Sequence, residues 1–300
     1  MKQINYEVIR KNLDRLNRKT ILVVKDNAYG CGLKNVLKIA ISLGFTFFAV
    51  TEIKDALYII NNYSNTYVLV LGKNKVVSIS NRIFLTVESK EDYFFCKRMN
   101  MPYHFKVISP MNRFGSLIDN EIINDSLCKG VYMHISRYDD DGIDEELKYF
   151  NDSVKNIKNM LIHIGGSHVL YKDNKYVKRI GMAIYENAVM IYGKVIKTFI
   201  LERGQYLGYN KSFLAKYRMR VGIIDVGYNS GLSASIHHTV FINGNRYKMI
   251  GQKCMDFSFV QINDRIKEND EVELLGNNIQ IQEVERIEKK DKYELYVNIK

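Results

Sequence analysis

Between residues 21 and 182 the chain repeats one pattern: a short apolar run, a break, then a stretch of amphipathic or polar sequence. The strand-like runs are 21–25 (ILVVK), 45–50 (FTFFAV), 66–72 (TYVLVLG), 82–87 (RIFLTV), 103–109 (YHFKVIS), 129–136 (KGVYMHIS), 161–167 (LIHIGGS) and 176–182 (YVKRIGM). Runs of β-branched and aromatic residues of this length, bounded by turn residues, predict buried strands. The stretches 33–43, 52–62 and 144–160 predict helices, the last with Leu147, Phe150, Val154 and Ile157 on one face. The segments after the third and seventh strands are weaker as helices. An amphipathic helix carrying Val8, Ile9, Leu13 and Leu16 comes first. Eight strand-then-helix units in series are the arithmetic of a TIM (β/α)8 barrel, because a doubly wound sheet usually needs fewer strands.

The rhythm changes near residue 205. Segments 217–228, 238–243, 247–252, 257–262 and 271–275 predict short strands joined by Gly/Asn turns, and Asn243-Gly244-Asn245 is a hairpin signal. The expected architecture is therefore α/β: a barrel over 1–204 followed by a smaller all-β C-terminal domain over 205–300.

Composition narrows the function classes. The net charge of +11 raises nucleic-acid binding. The basic residues are scattered among acids and apolar positions, however, so they predict a solvated surface and no nucleic-acid partner. No apolar run is long enough to span a bilayer, and the first residues lack a signal-peptide core, so a cytoplasmic protein without membrane contact is expected. The four cysteines, Cys31, Cys96, Cys128 and Cys254, are far apart in sequence and predict reduced thiols. No His/Cys cluster predicts a metal site.

A barrel puts its chemistry at the C-terminal ends of its strands. This chain places Lys25 there, with Lys106 and Arg113, His134, His163 and Ser167, and Arg179 and Gly181. Each has a bland explanation alone: a strand-end lysine snorkels, a histidine sits satisfied in a core, a serine caps a helix. Their common location is the informative part. An amine at the mouth of an apolar scaffold can lose its proton and form a Schiff base.

These residues also carry a family resemblance. Val23-Val24-Lys25-Asp26-Asn27-Ala28-Tyr29-Gly30-Cys31-Gly32 resembles the VVKANAYGHG segment of alanine racemases. Met111-Asn112-Arg113-Phe114-Gly115 is similar to GMNRLG, and Arg179-Ile180-Gly181-Met182-Ala183-Ile184-Tyr185 to RFGIAMYG. Gly227-Tyr228-Asn229-Ser230-Gly231 resembles GYADG, Cys254-Met255-Asp256 resembles CMD, and Tyr293-Glu294 resembles the YE near that family's end. The motifs keep the family's order and cover nearly the whole chain.

The resemblance implies a homodimeric, pyridoxal 5'-phosphate (PLP)-dependent amino-acid racemase, most simply one that supplies D-alanine for peptidoglycan. It makes Lys25 the Schiff-base anchor and the base on one face of the substrate Cα. Tyr228 from the other subunit serves the opposite face, hydrogen-bonded to His134. Arg179 faces the pyridine nitrogen. Ser167, Gly181, Met182, Tyr293 and Tyr29 hold the phosphate. Arg113 steers the substrate carboxylate or the cofactor's phenolic oxygen, and Met255 offers its backbone N–H to the carboxylate. Lys106 matches a lysine that is often carbamylated.

The chain departs from the pattern at Asp26 and Cys31 and at Ile108-Ser109-Pro110. It departs again at Gly166, at Asn229-Ser230 and at Gln252, and the family's RVPR tail has no match after Tyr293. Gln252 replaces an entrance arginine, which keeps serine or another amino acid open as substrate. A non-catalytic PLP-binding relative is the reading from a different class, but such proteins usually lack a β domain.

Overall fold

The computed structural model describes residues 1–73, 80–172, 175–235 and 238–299. A short strand, β1 (Lys2–Ile4), opens the chain. The barrel strands follow: β2 (Ile21–Val23), β3 (Phe47–Val50), β4 (Tyr67–Val70), β5 (Ile83–Val87), β6 (Tyr103–Lys106), β7 (Cys128–His134), β8 (Leu161–Gly165) and β9 (Val177–Ile180). They pair in parallel in sequence order, and β2 closes on β9 with Ile21 opposite Arg179. The expected TIM barrel is thus present, with all eight strands where the sequence puts them. Most strands end earlier than the apolar runs. β6 stops at Lys106, for example; Val107 bridges to Ser116, and its amide still donates to Tyr132 O of β7 at 2.8 Å. The residues left over become the loops at the mouth.

Helices cover the barrel where apolar residues recur at helical spacing. Helix Leu33–Ser42 buries Leu33, Val36, Leu37 and Ala40, and Ile53–Asn62 buries Ala56, Ile59 and Ile60. The helix expected over 144–160 runs instead over Asp140–Val154. Asp139 starts it earlier, because its side chain accepts a hydrogen bond from the Gly142 amide. Ile157 consequently lies beyond the helix. The weak segment after the third strand includes residues 74–79, outside the described residues. The one after the seventh begins with a 3-10 turn, Ser167–Val169.

Two compact units make up the chain. One holds Arg10–Ala28 and Gly32–Ile184, the barrel; the other holds Met1–Ile9, Tyr29–Cys31 and Tyr185–Lys300. The second is built on β10 (Val189–Leu201), β11 (Tyr206–Leu207), β12 (Phe213–Leu214), β13 (Met219–Ile224), β14 (Thr239–Ile242), β15 (Asn245–Ile250), β16 (Ser258–Ile262) and β17 (Glu271–Leu275). β10 precedes the 204/205 boundary read from the sequence, yet belongs to this unit. It pairs antiparallel with β13 along one half and with β17 along the other, so the sheet closes on itself. Ile242 faces Asn245 across the Asn243-Gly244 turn, the hairpin expected there. Both turn residues have positive φ, 44° and 84°. The unit ends in two helices, Ile281–Glu288 and Lys292–Asn298, which the strand pattern did not foretell.

Candidate functional site

Lys25 follows β2 and the fully buried Val24. Its side chain is 38% exposed, and its Nζ lies 3.8 Å from Asp26 Oδ2. The next four residues, Asp26, Asn27, Ala28 and Tyr29, all adopt left-handed φ of 52–54°. None is glycine, and each such residue costs about 1–2 kcal/mol. The surroundings hold the turn. The Asn27 side chain accepts from the Leu33 amide at 2.9 Å, its carbonyl from the Gly32 amide at 3.0 Å, and the Ala28 amide donates to Val24 O at 3.1 Å. The backbone directly after this lysine is thus held in a strained conformation by specific hydrogen bonds.

Arg179, on β9, is 4% exposed. Its Nη1 lies 2.9 Å from His163 Nδ1 on β8, and its guanidinium lies 4.4 Å from the ring centre of Tyr132 on β7. A Cβ on Gly165 would stand 2.3 Å from Arg179 Nη2, so a glycine is required for the guanidinium to lie there. The hydrogen bonds determine the protons. Arginine only donates, so His163 Nδ1 must accept and its proton is on Nε2. That Nε2 donates to His104 Nδ1 on β6 at 2.9 Å. Burial first, and Arg179 second, push His104 down to about 3 and His163 well below the usual imidazole value. Arg179 therefore points its positive charge at a row of neutral rings.

His134 ends β7 and is partly buried. Burial, then Arg179 and Arg113, push it down to about 3, so it too is neutral at neutral pH. Lys106 ends β6 and is buried. Its Nζ lies 3.7 Å from Glu88 Oε2 and 4.9 Å from the centre of the Phe114 ring. Burial pushes it down to about 8; Glu88 opposes that shift, and Arg113 and Arg179 add to it. Arg113 lies on an exposed loop after β6. Ser167 begins the 3-10 turn after β8, and its Oγ accepts from the Ala183 amide at 3.1 Å. The ends of β8 and β9 thus meet, with Ser167 beside the chain that carries Gly181 and Met182.

The barrel unit accordingly gathers Lys25, Lys106, Arg113, His134, Ser167, Arg179, Gly181 and Met182 at the C-terminal ends of its strands or in the loops that follow them. The other residues singled out in the sequence belong to the second unit. Tyr29 is buried with its ring 4.9 Å from that of Tyr185. Tyr293 stands at the start of the last helix, which Asp291 caps by accepting from the Tyr293 amide. Tyr228 heads a 3-10 turn and is 40% exposed; Met255 is 56% exposed. The amides of Tyr228 and Asn229 donate to Cys254 O and Met255 O, both at 3.0 Å, so the two turns are bound to each other.

Sequence reasoning missed Glu88 and His104. His104 and Lys106 alternate on one strand and so share a face, which was a usable signal. Among the described residues no group of His, Cys, Asp or Glu is arranged to hold a metal ion.

The family model for "Alanine racemase, N-terminal domain" matches residues 3–188, and that for "Alanine racemase, C-terminal domain" matches residues 188–300. An alanine racemase of Borreliella burgdorferi is 25% identical over 99% of this chain and 94% of its own length. An amino-acid racemase of Enterococcus faecalis is 25% identical over 92% of this chain and 47% of its own length. The crystal structure of alanine racemase from Bartonella henselae with covalently bound pyridoxal phosphate superposes with a TM-score of 0.88. Its sequence identity is 20%, and the match covers 100% of this chain and 96% of that one.

Proposed function

The chain belongs to the alanine racemase family, and on that premise we propose that it interconverts L- and D-alanine with PLP. The observation that carries the reading is Lys25 at the end of β2, in the same barrel mouth as the buried Arg179. The donor set fits PLP: one primary amine for its aldehyde, a cation that cannot surrender its proton for its ring, and a serine with two strand-end amides for its phosphate.

When bound, the cofactor supplies an electron sink for the pair left when the Cα–H bond breaks. Lys25 Nζ holds it covalently. The same amine, when free, would take or return the Cα proton on one face of the substrate. Tyr228 of the partner subunit does the same on the other face, which makes the enzyme a head-to-tail homodimer with shared sites. His134, kept neutral by burial and by Arg179, is a suitable hydrogen-bond partner for that phenol. Arg179 would face the cofactor's ring nitrogen without protonating it, because a guanidinium does not give up a proton. Ser167 and the amides of Gly181 and Met182 would bind the phosphate. Arg113 and the Met255 amide of the partner subunit orient the substrate carboxylate, and Lys106 stands behind Arg113 with Glu88 as its counter-ion.

The reaction belongs to the cytoplasm, with D-alanine consumed in peptidoglycan assembly. Among the described residues no helix is long and apolar enough to cross a membrane. Gln252, in place of an entrance arginine, supports a second reading in which another small amino acid, serine above all, is the preferred substrate. A hydrophobic pocket discriminates only modestly against one added hydroxyl.

The test is a chiral assay. Single enantiomers of alanine and serine are incubated with purified protein, with and without added PLP. The reading predicts PLP-dependent conversion in both directions, fastest for alanine. Faster conversion of serine moves the assignment to the second reading. No conversion of any enantiomer at saturating PLP overturns both.

A further inference from the structure

The second unit contains a buried polar cluster that the racemase reading leaves without a task. Its centre is Glu288, the last residue of helix Ile281–Glu288 and 4% exposed. An acid at a helix C-terminus opposes the helix dipole, so this position is poor for local stability. The contacts of Glu288 lie elsewhere in the chain. Its Oε1 accepts from the Ser233 amide at 2.9 Å and from His238 Nε2 at 2.7 Å. Its Oε2 accepts from Ser233 Oγ. Lys290 Nζ donates to Ser233 Oγ at 3.2 Å and stands 3.5 Å from Glu288 Oε2.

Lys253, 2% exposed, completes the cluster. Its Nζ donates to Ser233 O at 2.8 Å, and its amide donates to Ala234 O at 3.0 Å. Ser233 is thus held by its amide, its hydroxyl and its carbonyl. Burial raises the carboxyl of Glu288, but hydrogen bonds from His238 and Ser233 outweigh it and bring the group down to about 2. Burial pushes Lys253 down to about 8 against the pull of Glu288. Buried charges of this kind are weak contributors to net stability, and their best-attested use is to select one arrangement of the chain.

That arrangement involves the two turns assigned to chemistry. Ser233 is five residues after Tyr228, and Lys253 is two residues before Met255. Between those anchors the turns touch directly. Tyr228 and Asn229 donate their amides to the 254–255 backbone, and Asn229 Nδ2 donates to Asp256 Oδ1 at 2.7 Å. A Cβ on Gly227 would lie 2.1 Å from Met255 O, so only glycine permits the contact.

We propose that Glu288, acting through Ser233, His238 and Lys253, is a positioning residue that fixes Tyr228 and the Met255 amide relative to one another. The inference rests on the racemase reading for the roles of Tyr228 and Met255. The clamp itself stands on the contacts. Glu288→Gln keeps the shape and removes the charge; Lys253→Met removes the second arm. Glu273→Gln is the control. Glu273 is another buried carboxylate of the same unit, which accepts from the Asn278 and Ile279 amides and touches neither turn.

The first readout is hydrogen–deuterium exchange by mass spectrometry on the full-length protein. The peptides covering 227–233 and 252–256 should lose protection in Glu288→Gln and Lys253→Met, and keep it in Glu273→Gln. The second readout compares racemisation with exchange of the Cα hydrogen for solvent deuterium without inversion. Misplacing one acid/base group should lower racemisation by roughly ten- to a hundred-fold. Retention exchange through Lys25 on one enantiomer should survive within a few-fold. Wild-type protection of both peptides in the folded variants overturns the clamp. Parallel loss of racemisation and retention exchange overturns its action on Tyr228. A wild-type protein that racemises nothing overturns the functional reading, and the exchange-protection result still decides the clamp.

Discussion

The barrel and the second unit position the residues proposed for the reaction by different means. In the barrel, strand register places Arg179 opposite Ile21 of β2, Lys25 follows two residues past the end of that strand, and the interior is packed with rings. Arg179 there lies against two neutral rings, those of His163 and Tyr132. In the second unit Tyr228 sits on a turn, where no ladder fixes it. Its place is set by backbone bonds to another turn and by a buried ionic cluster. Register is robust to most single changes, whereas a clamp built on one carboxylate is not.

Lys25→Ala tests the barrel side most severely. Loss of the anchor and of one acid/base group should lower racemisation by on the order of 10³-fold or more, with overall fold retained, as judged by circular dichroism. Tyr228→Phe should cost on the order of 10²–10⁴-fold and leave retention exchange on one enantiomer. If the two residues meet across a dimer, mixing the two dead variants restores activity. Random pairing gives heterodimers with one intact site, hence about a quarter of the wild-type rate. No recovery on mixing would mean that each subunit completes its own site.

Gly165→Ala tests the close approach in the barrel. The added methyl must displace Arg179 from a position 2.3 Å away. The expected result is a large fall in kcat with weaker PLP binding, measured by titrating the cofactor absorbance. A smaller effect concerns Lys106. A carbamate there would place negative charge beside Glu88, whose Oε2 is already 3.7 Å from the amine. The wild type should therefore show no carbamate signal in 13C-bicarbonate NMR, and Glu88→Gln should show one.

Acid should separate the two regions by onset. His104 and His134 lie at about 3 in the folded chain, against an ordinary value of 6.5, and His163 lies well below it. Below about 6.5 the unfolded chain binds protons that the folded barrel refuses, so stability falls as pH drops from there toward 3. Glu288 acts in the same direction but in a lower window. At about 2 against 4.5, its contribution is complete above 4.5 and is lost only as pH falls toward 2. Melting temperatures across pH should thus begin to drop near 6.5. The loss below 4.5 should be shallower in Glu288→Gln.

What was legible in the sequence follows the same division. The eight barrel strands are buried on both faces, so each appears as an apolar run that local pattern can find. The placement of Lys25, Arg179 and Ser167 at or just past strand ends was legible because each apolar run ends beside them. The row from Arg179 through His163 to His104 was not, because it depends on the registers of β6 through β9 and on which residues point inward. The left-handed turn over Asp26–Tyr29 suits Asp26 and Asn27 but runs against the propensity of Ala28 and Tyr29. β1 is only three residues long, and β10 precedes the point where the turn-rich pattern begins. The Glu288 cluster joins Ser233, Lys253 and Glu288 across as many as 55 positions and leaves no periodic trace.

The central claim is that Lys25 is the covalent anchor. Purified protein loaded with PLP, reduced with borohydride, digested and sequenced by mass spectrometry reports it directly. The account predicts a single reduced adduct on Lys25, absent in Lys25→Ala. An adduct on another lysine, such as Lys106 or Lys253, or none at saturating PLP, would contradict it.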